Sequence, residues 1–322
     1  MVLITGSTGF VGKSLLRLLI KEKTPVKVLL RPNSNSLALR DFPVQKVQGN
    51  PFNPESLKDA LQGVTHIIHI AGALVGTNYD AYYKGNVLYT ENLVKAAKLY
   101  APGLKNFIFI SSQAAAGPSD KDHQKTENEM ATPVSIYGKT KLLAEKKLIE
   151  SGLPFLILRP SSIYGPEDHE FLPLFKMTHK GIQAFVGNGQ SKVNLLFIDD
   201  FVALIYLALK SSQTKHIYFV NGDGEFSWRE ILELARLAVK KKVFKIRIPR
   251  FAAWFLGNFN TLLGKLLGRP FLLSRDKVKE MLQPSWTFNT DAVKKDLGFS
   301  PRYSPKEGFE LTYQWYLKAG WL

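Results

Sequence analysis

Three glycines with the spacing Gly-x-x-Gly-x-x-Gly constrain the fold of this chain more than any other feature. Gly6, Gly9 and Gly12 lie between a short apolar run, Val2–Ile4, and a segment, Phe10–Lys21, with apolar residues at helical spacing. Glycines here let the turn close and let backbone N–H groups approach a diphosphate, which the helix N-terminus stabilises. The loop therefore predicts a dinucleotide site at the first strand-to-helix joint. The loop residues expected to contact the dinucleotide are Thr5, Gly6, Thr8, Gly9, Phe10, Val11 and Gly12.

Short β-branched runs alternate with helical segments through the first half of the chain, which predicts a parallel sheet covered on both faces. We expect an α/β, Rossmann-type doubly wound parallel sheet with a smaller C-terminal substrate lobe. Residues 1–165 would form the dinucleotide-binding core, residues 198–221 would return to it, and residues 166–322 would mainly form the lobe. The predicted strands of the core are Val2–Ile4, Val26–Leu30, Val44–Val47, Thr65–Ile70, Asn106–Ile110 and Phe155–Leu158.

Composition excludes several classes of function. The 322 residues include no cysteine, which removes disulfides, thiolate catalysis and thiolate metal sites. The six histidines lack metal-ligand spacing, so we expect no metal, and His66 and His69 are interpreted as packed imidazoles. The net charge of +16 comes without a zinc-finger, helix-turn-helix or RNA-binding motif, so we expect a basic surface and no nucleic-acid partner.

The sequence predicts a cytoplasmic protein. The glycine loop begins where the hydrophobic core of a targeting peptide would lie. No stretch reaches about 18 uninterrupted apolar residues, the length that a membrane-spanning helix needs.

The segment after the second predicted strand indicates which nicotinamide cofactor binds. An acidic residue about 20 positions after the glycine loop would bind the ribose 2′-hydroxyl. Here Leu30–Asn35 contains Arg31 and no carboxylate occurs before Asp41. An arginine pairs well with a 2′-phosphate, although Arg31 also fits a solvated strand end. We expect NADP(H), with NAD(H) as the alternative.

Tyr137 and Lys141 stand four residues apart at the start of a helical segment and therefore share one helix face. A phenol has a pKa of about 10 in water, too high for easy proton exchange at neutral pH. A neighbouring ammonium and an oxidised nicotinamide both favour the phenolate, which makes the tyrosine a usable acid/base.

With these motifs the chain resembles the extended short-chain dehydrogenase/reductase family. That group includes NAD-dependent epimerases/dehydratases, 3β-hydroxysteroid dehydrogenases and dihydroflavonol-reductase-like enzymes. The resemblance covers nearly the whole chain and is specific for the fold rather than the substrate. Besides the glycine loop and the tyrosine–lysine pair, it rests on His69–Gly72, Asn86, Ser111-Ser112, Leu158–Pro160, Ile163–Pro166, Phe197–Asp200, Leu297–Pro301 and Glu307-Gly308.

The resemblance implies roles for single residues. Ser112 would bind the substrate oxygen, with Ser111 as the alternative, and Tyr137 would exchange its proton. Lys141 would hold the nicotinamide ribose and tune Tyr137. The residues implied to line the cofactor elsewhere are Asn50, Ala71, Gly72, Asn86 and Pro160.

The chain departs from the family pattern at two places. Asn50 and Pro51 replace an acidic residue and a backbone N–H donor that bind adenine, so we expect weaker or rearranged adenine recognition. Ser162 and Val193 replace an asparagine and an arginine that help nucleotide-sugar members hold a pyrophosphate, and the adjacent Lys192 could substitute in part.

Three functions are compatible with these features. The favoured one is a reductase or dehydrogenase that interconverts a secondary alcohol and a ketone on a mainly apolar small molecule. The alternative is a nucleotide-sugar epimerase or dehydratase with tightly bound NAD. A regulator that only senses the cofactor is disfavoured, because such proteins typically lose the tyrosine–lysine pair.

Two further expectations concern partners. The helical segments Tyr79–Tyr100 and Ser135–Glu150 carry broad apolar stripes, and in similar enzymes the equivalent pair forms a homodimer interface. In the C-terminal part, Pro249–Leu267 is a candidate helix pair, and basic residues flank the apolar stretch up to Leu273. We favour a core lid over an apolar substrate there, and peripheral contact with the inner face of an anionic membrane is the less favoured alternative.

Overall fold

The computed structural model describes residues 1–32, 34–269, 271 and 273–322. Asn33 in the predicted cofactor-choosing segment and Leu272 in the apolar stretch lie outside the described residues, as does Pro270. The strands are β1 Val2–Thr5, β2 Val26–Leu30, β3 Gln45–Gln48, β4 His66–His69, β5 Asn106–Ile110, β6 Phe155–Pro160, β7 Ser162–Tyr164, β8 Ile182–Val186, β9 Lys192–Val193, β10 Leu195–Phe197, β11 His216–Val220, β12 Phe226–Ser227, β13 Phe244–Ile248 and β14 Ser285–Trp286.

Most connections between strands contain helices. A π-helical stretch, Tyr83–Leu88, joins the third and fourth helices into one continuous rod, and 3₁₀ turns lie at Ser36–Leu39 and Pro54–Leu57. The α-helices are α1 Phe10–Lys21, α2 Lys58–Leu61, α3 Tyr79–Tyr82, α4 Tyr89–Tyr100, α5 Gln113–Ala116, α6 Ile136–Glu150, α7 Leu172–His179, α8 Ile198–Lys210, α9 Trp228–Val239, α10 Arg250–Leu266, α11 Arg275–Met281, α12 Asp291–Leu297 and α13 Pro305–Lys318.

Seven strands form one parallel sheet in the order β11–β6–β5–β4–β1–β2–β3. Alternate residues of each central strand enter two different cores. On β1, Leu3 belongs to the core of one sheet face and Ile4 to that of the other, and both are fully buried. The strand order reverses between β1 and β4, the point where doubly wound sheets open a ligand crevice at their carboxyl edge. The predicted fold class is confirmed.

The second half of the chain contributes both to the sheet and to smaller units. β11 pairs with β6 in parallel and α8 packs against α1, so residues 198–220 contact the large sheet. The remaining strands form three small sheets, β7–β10, β12–β9–β14 and β8–β13. Helices α7, α9 and α13 pack on one another beside them.

Some predicted boundaries are wrong by one or two residues. The third strand begins at Gln45 rather than Val44, and it is the sheet edge, where exposed side chains weaken the hydrophobic pattern. The fourth strand is limited to His66–His69, and the sixth extends through Pro160. The segment predicted as a helix from Ser135 begins at Ile136, because the Ser135 hydroxyl accepts the Gly138 N–H as a cap.

The prediction for Pro249–Leu267 is wrong in two respects. The segment forms one helix, α10, instead of a helix pair. Its large apolar residues are also not core: Phe251 is 76% exposed and Phe255 69%. Because the small residues of α10 face the protein, the apolar pattern of this helix does not mark its buried side.

Candidate functional site

The glycine loop brings β1, the start of α1 and the end of β4 into close contact. Gly6 has a φ of +75°, and a Cβ there would lie 2.6 Å from the Ala71 nitrogen. A Cβ on Gly12 would lie 2.2 Å from the Gly6 oxygen, so neither position has room for a side chain. Gly9 caps α1 without a side-chain acceptor, and Phe10 starts the helix. The first N–H groups of α1 are thus oriented to bind an anion, as a pyrophosphate requires.

Thr5 and His69 form a buried polar link beneath this loop. The Thr5 hydroxyl lies 2.6 Å from His69 Nδ1, and His69 Nε2 lies 3.0 Å from the Thr90 hydroxyl. Burial lowers the pKa of His69 to about 3, so the ring is neutral and structural. The hydroxyl of Thr5 therefore links β1 to β4 beneath the glycine loop. Thr8 and Val11 are half-buried at the surface of the loop.

Ala71 and Gly72 follow β4 at the carboxyl edge of the sheet, next to Lys141. A Cβ on Gly72 would lie 2.9 Å from Asn86 Oδ1 and 3.9 Å from Lys141 Nζ. The Asn86 amide is buried: its Oδ1 accepts the Ala73 N–H at 2.7 Å, and its Nδ2 donates to Ala73 and to Thr140. Asn86 thus fixes the loop after β4 rather than opening to the groove.

Arg31 and Asn50 lie where the adenosine end of a dinucleotide would lie, after β2 and β3. The Arg31 backbone N–H donates to Ser34 Oγ at 3.0 Å, and its side chain is exposed. Asn50 Oδ1 accepts the Phe52 N–H at 3.0 Å, so one acceptor position of that oxygen is already used inside the turn. Pro51 is buried and its carbonyl accepts from Asn92.

Ser112, Tyr137 and Lys141 meet beyond the end of β5. Ser112 caps α5 by accepting the Ala114 N–H at 3.1 Å, and its hydroxyl lies near enough to the Tyr137 phenol to lower the pKa of that phenol. Burial raises the pKa of Tyr137 above its ordinary value, although the Ser112 hydroxyl lowers it, and Glu170 and Glu280 raise it further. Lys141 is buried, donates to the Ile110 carbonyl at 2.6 Å and lies over the Phe109 ring, and burial lowers its pKa to about 7.

The two serines after β5 have different surroundings. Ser111 is buried and donates to Glu145 Oε1 at 2.5 Å, and Glu145 pairs with Arg159 at 2.6 Å. Ser112 is half-buried and faces Tyr137. This geometry favours Ser112 over Ser111 as the serine that contacts a substrate.

Buried polar atoms without protein partners along the groove also fit a bound dinucleotide. Pro160 ends β6 in a buried position. Within the described ranges, three buried polar atoms along the groove segments have no protein partner: Ser7 Oγ, Gln113 Oε1 and Ser161 Oγ. Such atoms are costly unless a ligand or water satisfies them. Together with the uncapped start of α1, they suit a polar cofactor that lies along this edge.

Sequence reasoning missed a set of residues from α11. Asp276 Oδ2 accepts the Tyr137 backbone N–H at 3.1 Å, so a C-terminal residue caps the helix that carries the tyrosine. Lys277 lies 3.4 Å from Glu170 and 3.8 Å from Glu280. Burial raises the pKa of Glu280. No motif surrounds these residues in the sequence, and their position depends on the tertiary packing of α11.

Two absences hold for the residues that the structure describes. No cluster of three or more histidine, aspartate and glutamate side chains is arranged to bind a metal ion there. No helix in that part of the chain combines the length and apolar character that crossing a bilayer requires.

Comparison with known proteins identifies the family. Residues 2–220 match the model of the NAD dependent epimerase/dehydratase family, so the chain belongs to it and is an enzyme of the extended short-chain dehydrogenase/reductase type. Ceramide reductase of Caulobacter vibrioides (strain NA1000 / CB15N) is 28% identical over 323 residues, 100% of this chain and 96% of that protein. UDP-glucose 4-epimerase of Vibrio cholerae is 30% identical over 334 residues, 99% of this chain and 96% of that protein.

Solved structures share the fold. UDP-glucuronic acid 4-epimerase from Bacillus cereus, in a complex with NAD, superposes with a TM-score of 0.78 at 20% identity and covers 99% of each chain. At that identity the likeness concerns the fold alone.

Proposed function

We propose that this enzyme interconverts a secondary alcohol and a ketone on a mainly apolar small molecule, with NADP(H) as the preferred cofactor. Ser112 would hold the substrate oxygen, Tyr137 would exchange its proton, and Lys141 would bind the nicotinamide ribose. Residues 1–165 with 198–221 would bind the cofactor, and residues 166–322 would mainly bind the substrate.

The arrangement of Ser112 and Tyr137 carries this proposal. Their hydroxyls lie close together at the carboxyl edge of the sheet, and Lys141 lies one helical turn further along α6. A carbonyl oxygen held between two hydroxyls is polarised and can receive a proton from one of them. Because the pKa of Tyr137 is raised, the phenol stays protonated at neutral pH, as a proton donor must.

In the reducing direction, a nicotinamide bound beside Lys141 would supply the hydride that the carbonyl carbon receives. Tyr137 donates its phenolic proton to the carbonyl oxygen, which Ser112 orients, and the product is the secondary alcohol. A phenolate on Tyr137 favours the charged form of Lys141, since opposite charges stabilise each other.

Arg31 supports the choice of NADP(H). Its side chain is exposed at the end of β2, the position from which it would pair with a ribose 2′-phosphate. NAD(H) is the alternative cofactor, and Asn50 would contribute little to adenine recognition because its oxygen already accepts the Phe52 N–H.

Two positions support an apolar substrate over a nucleotide sugar. Val193 is 6% exposed and lies in β9, so it offers no charge to a pyrophosphate. The adjacent Lys192 could replace the missing arginine in part, but its ammonium already pairs with Glu225 at 3.3 Å. The similarity to ceramide reductase favours a lipid-like ketone.

The second candidate is a nucleotide-sugar epimerase or dehydratase with tightly bound NAD. The similarity to UDP-glucose 4-epimerase favours it. Such an enzyme would oxidise and reduce its substrate within one turnover, and it would show no net consumption of added cofactor.

We further propose a homodimer formed by the rod of α3 and α4 together with α6. Leu99 and Ile149 are 68% and 41% exposed near the ends of these helices. Leu142 and Leu143 are half-buried on α6. Light scattering at micromolar concentration is expected to report twice the mass of one chain, and a monomer there would contradict the dimer. Cytoplasmic localisation stays a prediction.

The experiment that tests the function separates the two candidates. Purified protein is denatured and its nucleotide is identified, and native protein is mixed with NADPH and either long-chain ketones or UDP-sugars. We expect little retained nucleotide and NADPH oxidation with the ketones. Retained NAD, with UDP-sugar conversion and no NADPH oxidation, would support the epimerase instead.

A further inference from the structure

The C-terminal half presents large apolar side chains to solvent along α10 and the strand before it. Six of them lie on α10 between Phe251 and Leu262 with exposures of 44% or more, and two, 72% and 41% exposed, lie on β13. Ordinary monomer surfaces scatter such residues singly, whereas a continuous group marks an interaction site. This surface, called the α10–β13 face, comprises Phe244 and Ile246 of β13, and Phe251, Trp254, Phe255, Leu256, Phe259 and Leu262 of α10.

The packing of α10 explains why these side chains are outside. The buried residues of α10 are the small ones, Ala253, Gly257 and Gly264, and they form one stripe along the helix. A Cβ on Gly257 would lie 2.6 Å from Val278 Cγ2, so α10 approaches α11 as closely as two helices can. The large residues therefore point away from the protein because the small side of the helix is the packed side.

The chain segment that carries the face is basic, and its acidic neighbours come from other elements: Glu310 lies 3.8 Å from Lys240, and Glu233 lies near Lys245. Between residues 240 and 275 the chain has five lysines, four arginines and no acidic residue. Lys245 and Arg247 alternate with Phe244 and Ile246 along β13, and all four are exposed, so the two cations lie on the opposite side of the strand from the two apolar side chains. Anionic lipid headgroups complement a segment in which an excess of basic residues accompanies exposed apolar side chains.

The face is connected to the site through α11. The Thr261 hydroxyl accepts the Arg275 N–H at 2.8 Å, and Asn260 Nδ2 donates to the Leu273 carbonyl at 2.9 Å. One residue beyond Arg275, Asp276 accepts the Tyr137 N–H. The start of α11 thus contacts both the exposed helix and the helix that carries the proposed proton donor.

We propose that the α10–β13 face docks on an anionic phospholipid membrane, with the apolar side chains in the acyl boundary and the basic residues on the headgroups. Docking there would bring α11, which contacts the helix that carries Tyr137, close to the lipid surface, so that an apolar ketone would have a short path from the membrane to the site. The docking stands on the surface alone, and only the delivery of substrate rests on the proposed reductase function.

Vesicle co-sedimentation tests the docking without any activity measurement. The full-length protein is spun with vesicles of phosphatidylcholine alone or with about one third phosphatidylglycerol, at low salt and at about 0.5 M salt. Wild type is expected to sediment with the anionic vesicles at low salt and to bind neutral vesicles much more weakly. Protein that stays in the supernatant with anionic vesicles at both salt levels would overturn the proposal.

Paired variants test which side chains are responsible. Phe255→Ser with Phe259→Ser should weaken partitioning at least about ten-fold, since two buried aromatic side chains are lost from the contact. Lys245→Gln with Arg247→Gln should weaken it about ten- to thirty-fold, at about five-fold for each cation. NADPH affinity, measured by calorimetry, reports that each variant is folded.

A control pair removes equally exposed apolar side chains elsewhere. Leu37 and Met130 are 75% and 81% exposed outside the face, so Leu37→Ser with Met130→Ser should bind vesicles like wild type. Equal binding by the Phe255/Phe259 pair and wild type would overturn the proposal. A shift from dimer to monomer in that pair, with no vesicle binding by wild type, would assign the face to a second copy of the chain instead.

Discussion

In the cofactor groove, Gly6 and Gly12 press backbone against backbone, and the apolar residues nearby, such as Ile4, are buried. On α10, Gly257 presses the helix against α11, and Phe255 and its large neighbours remain outside. Close packing through glycine thus exposes N–H groups in one region and apolar side chains in the other. Close packing at glycine thus leaves the groove suited to bind an anion and the surface of α10 suited to contact an apolar phase.

Among the described residues, the hydrogen bond from the Tyr137 N–H to Asp276 links the two regions. Under the proposed function, the groove would hold the groups for chemistry and the C-terminal region would position them. Substitutions in the groove are expected to change rates by large factors, and substitutions in the C-terminal part by small ones.

The largest effect is expected at Tyr137. Tyr137→Phe keeps the ring and removes the proton, so turnover should fall about 10² to 10⁴-fold while cofactor affinity changes little. Steady-state kinetics and calorimetry measure the two quantities, and Tyr100→Phe at the end of α4 is the matched control. Near-normal turnover in Tyr137→Phe would show that Tyr137 is not the proton donor. Lys141→Met should impair both turnover and cofactor binding.

The next largest effect concerns the cofactor. A charge-assisted pair between Arg31 and a 2′-phosphate contributes about 1.5–3 kcal/mol, so NADPH should bind about one to two decades more tightly than NADH. Arg31→Asp should reverse this order. Lys98→Asp, at an exposed position of α4, should leave the ratio unchanged. Equal wild-type affinities for the two cofactors would show that Arg31 is a solvated strand end.

A smaller effect is expected where the two regions meet. Asp276→Ala leaves the Tyr137 N–H without its acceptor, which costs about 0.5–2 kcal/mol for a helix cap and should lower turnover about three- to ten-fold. Asp276→Asn keeps an acceptor oxygen and should recover most of the rate. Equal turnover in wild type and Asp276→Ala would separate the C-terminal region from the chemistry altogether.

The smallest effect is a pH dependence of stability inside the C-terminal region. Burial raises the pKa of Asp168 to about 7 from 3.8. Between pH 3.8 and about pH 7, Asp168 keeps its proton in the folded state and has lost it in the unfolded chain. The contribution of this protonation to the free energy of unfolding is therefore complete below pH 3.8 and disappears as pH rises to about 7. The Tm of wild type relative to Asp168→Asn should therefore fall by a few degrees from about pH 4 to about pH 7.

The control for this measurement is Asp120→Asn, whose carboxylate is exposed. Its Tm should follow that of wild type across the interval. A constant difference between wild type and Asp168→Asn would mean that the buried carboxyl does not take up a proton on folding.

The sequence identifies the glycine loop and the spacing of the tyrosine and the lysine because these features are local. Gly6 and Gly12 stand in one loop, and Tyr137 and Lys141 are held on one helix face by their spacing alone. The fold class follows from the same alternation of strands and helices. Asn86 shows the limit: its place in the pattern is as predicted, but only the structure shows that its amide bonds Ala73 and Thr140.

The C-terminal region was poorly predicted because its structure depends on packing between distant segments. Apolar residues on α10 predicted a core, yet the helix turns its glycines inward against Val278. Asp276 reaches Tyr137 across 139 positions of the chain, a distance that no sequence pattern spans. Hydrophobic periodicity distinguishes two faces of a helix, but it does not show which face packs against the protein.

We propose that the groove transfers a hydride to an apolar ketone with net use of the cofactor. Incubation with NADPH deuterated at the transferable C4 position and a long-chain ketone, followed by mass spectrometry of the products, measures this directly. We expect one deuterium at the carbinol carbon of the alcohol and one oxidised cofactor for each molecule of product formed. No deuterated alcohol from any apolar ketone, together with a UDP-sugar inverted while the labelled NADPH remains intact, would contradict it.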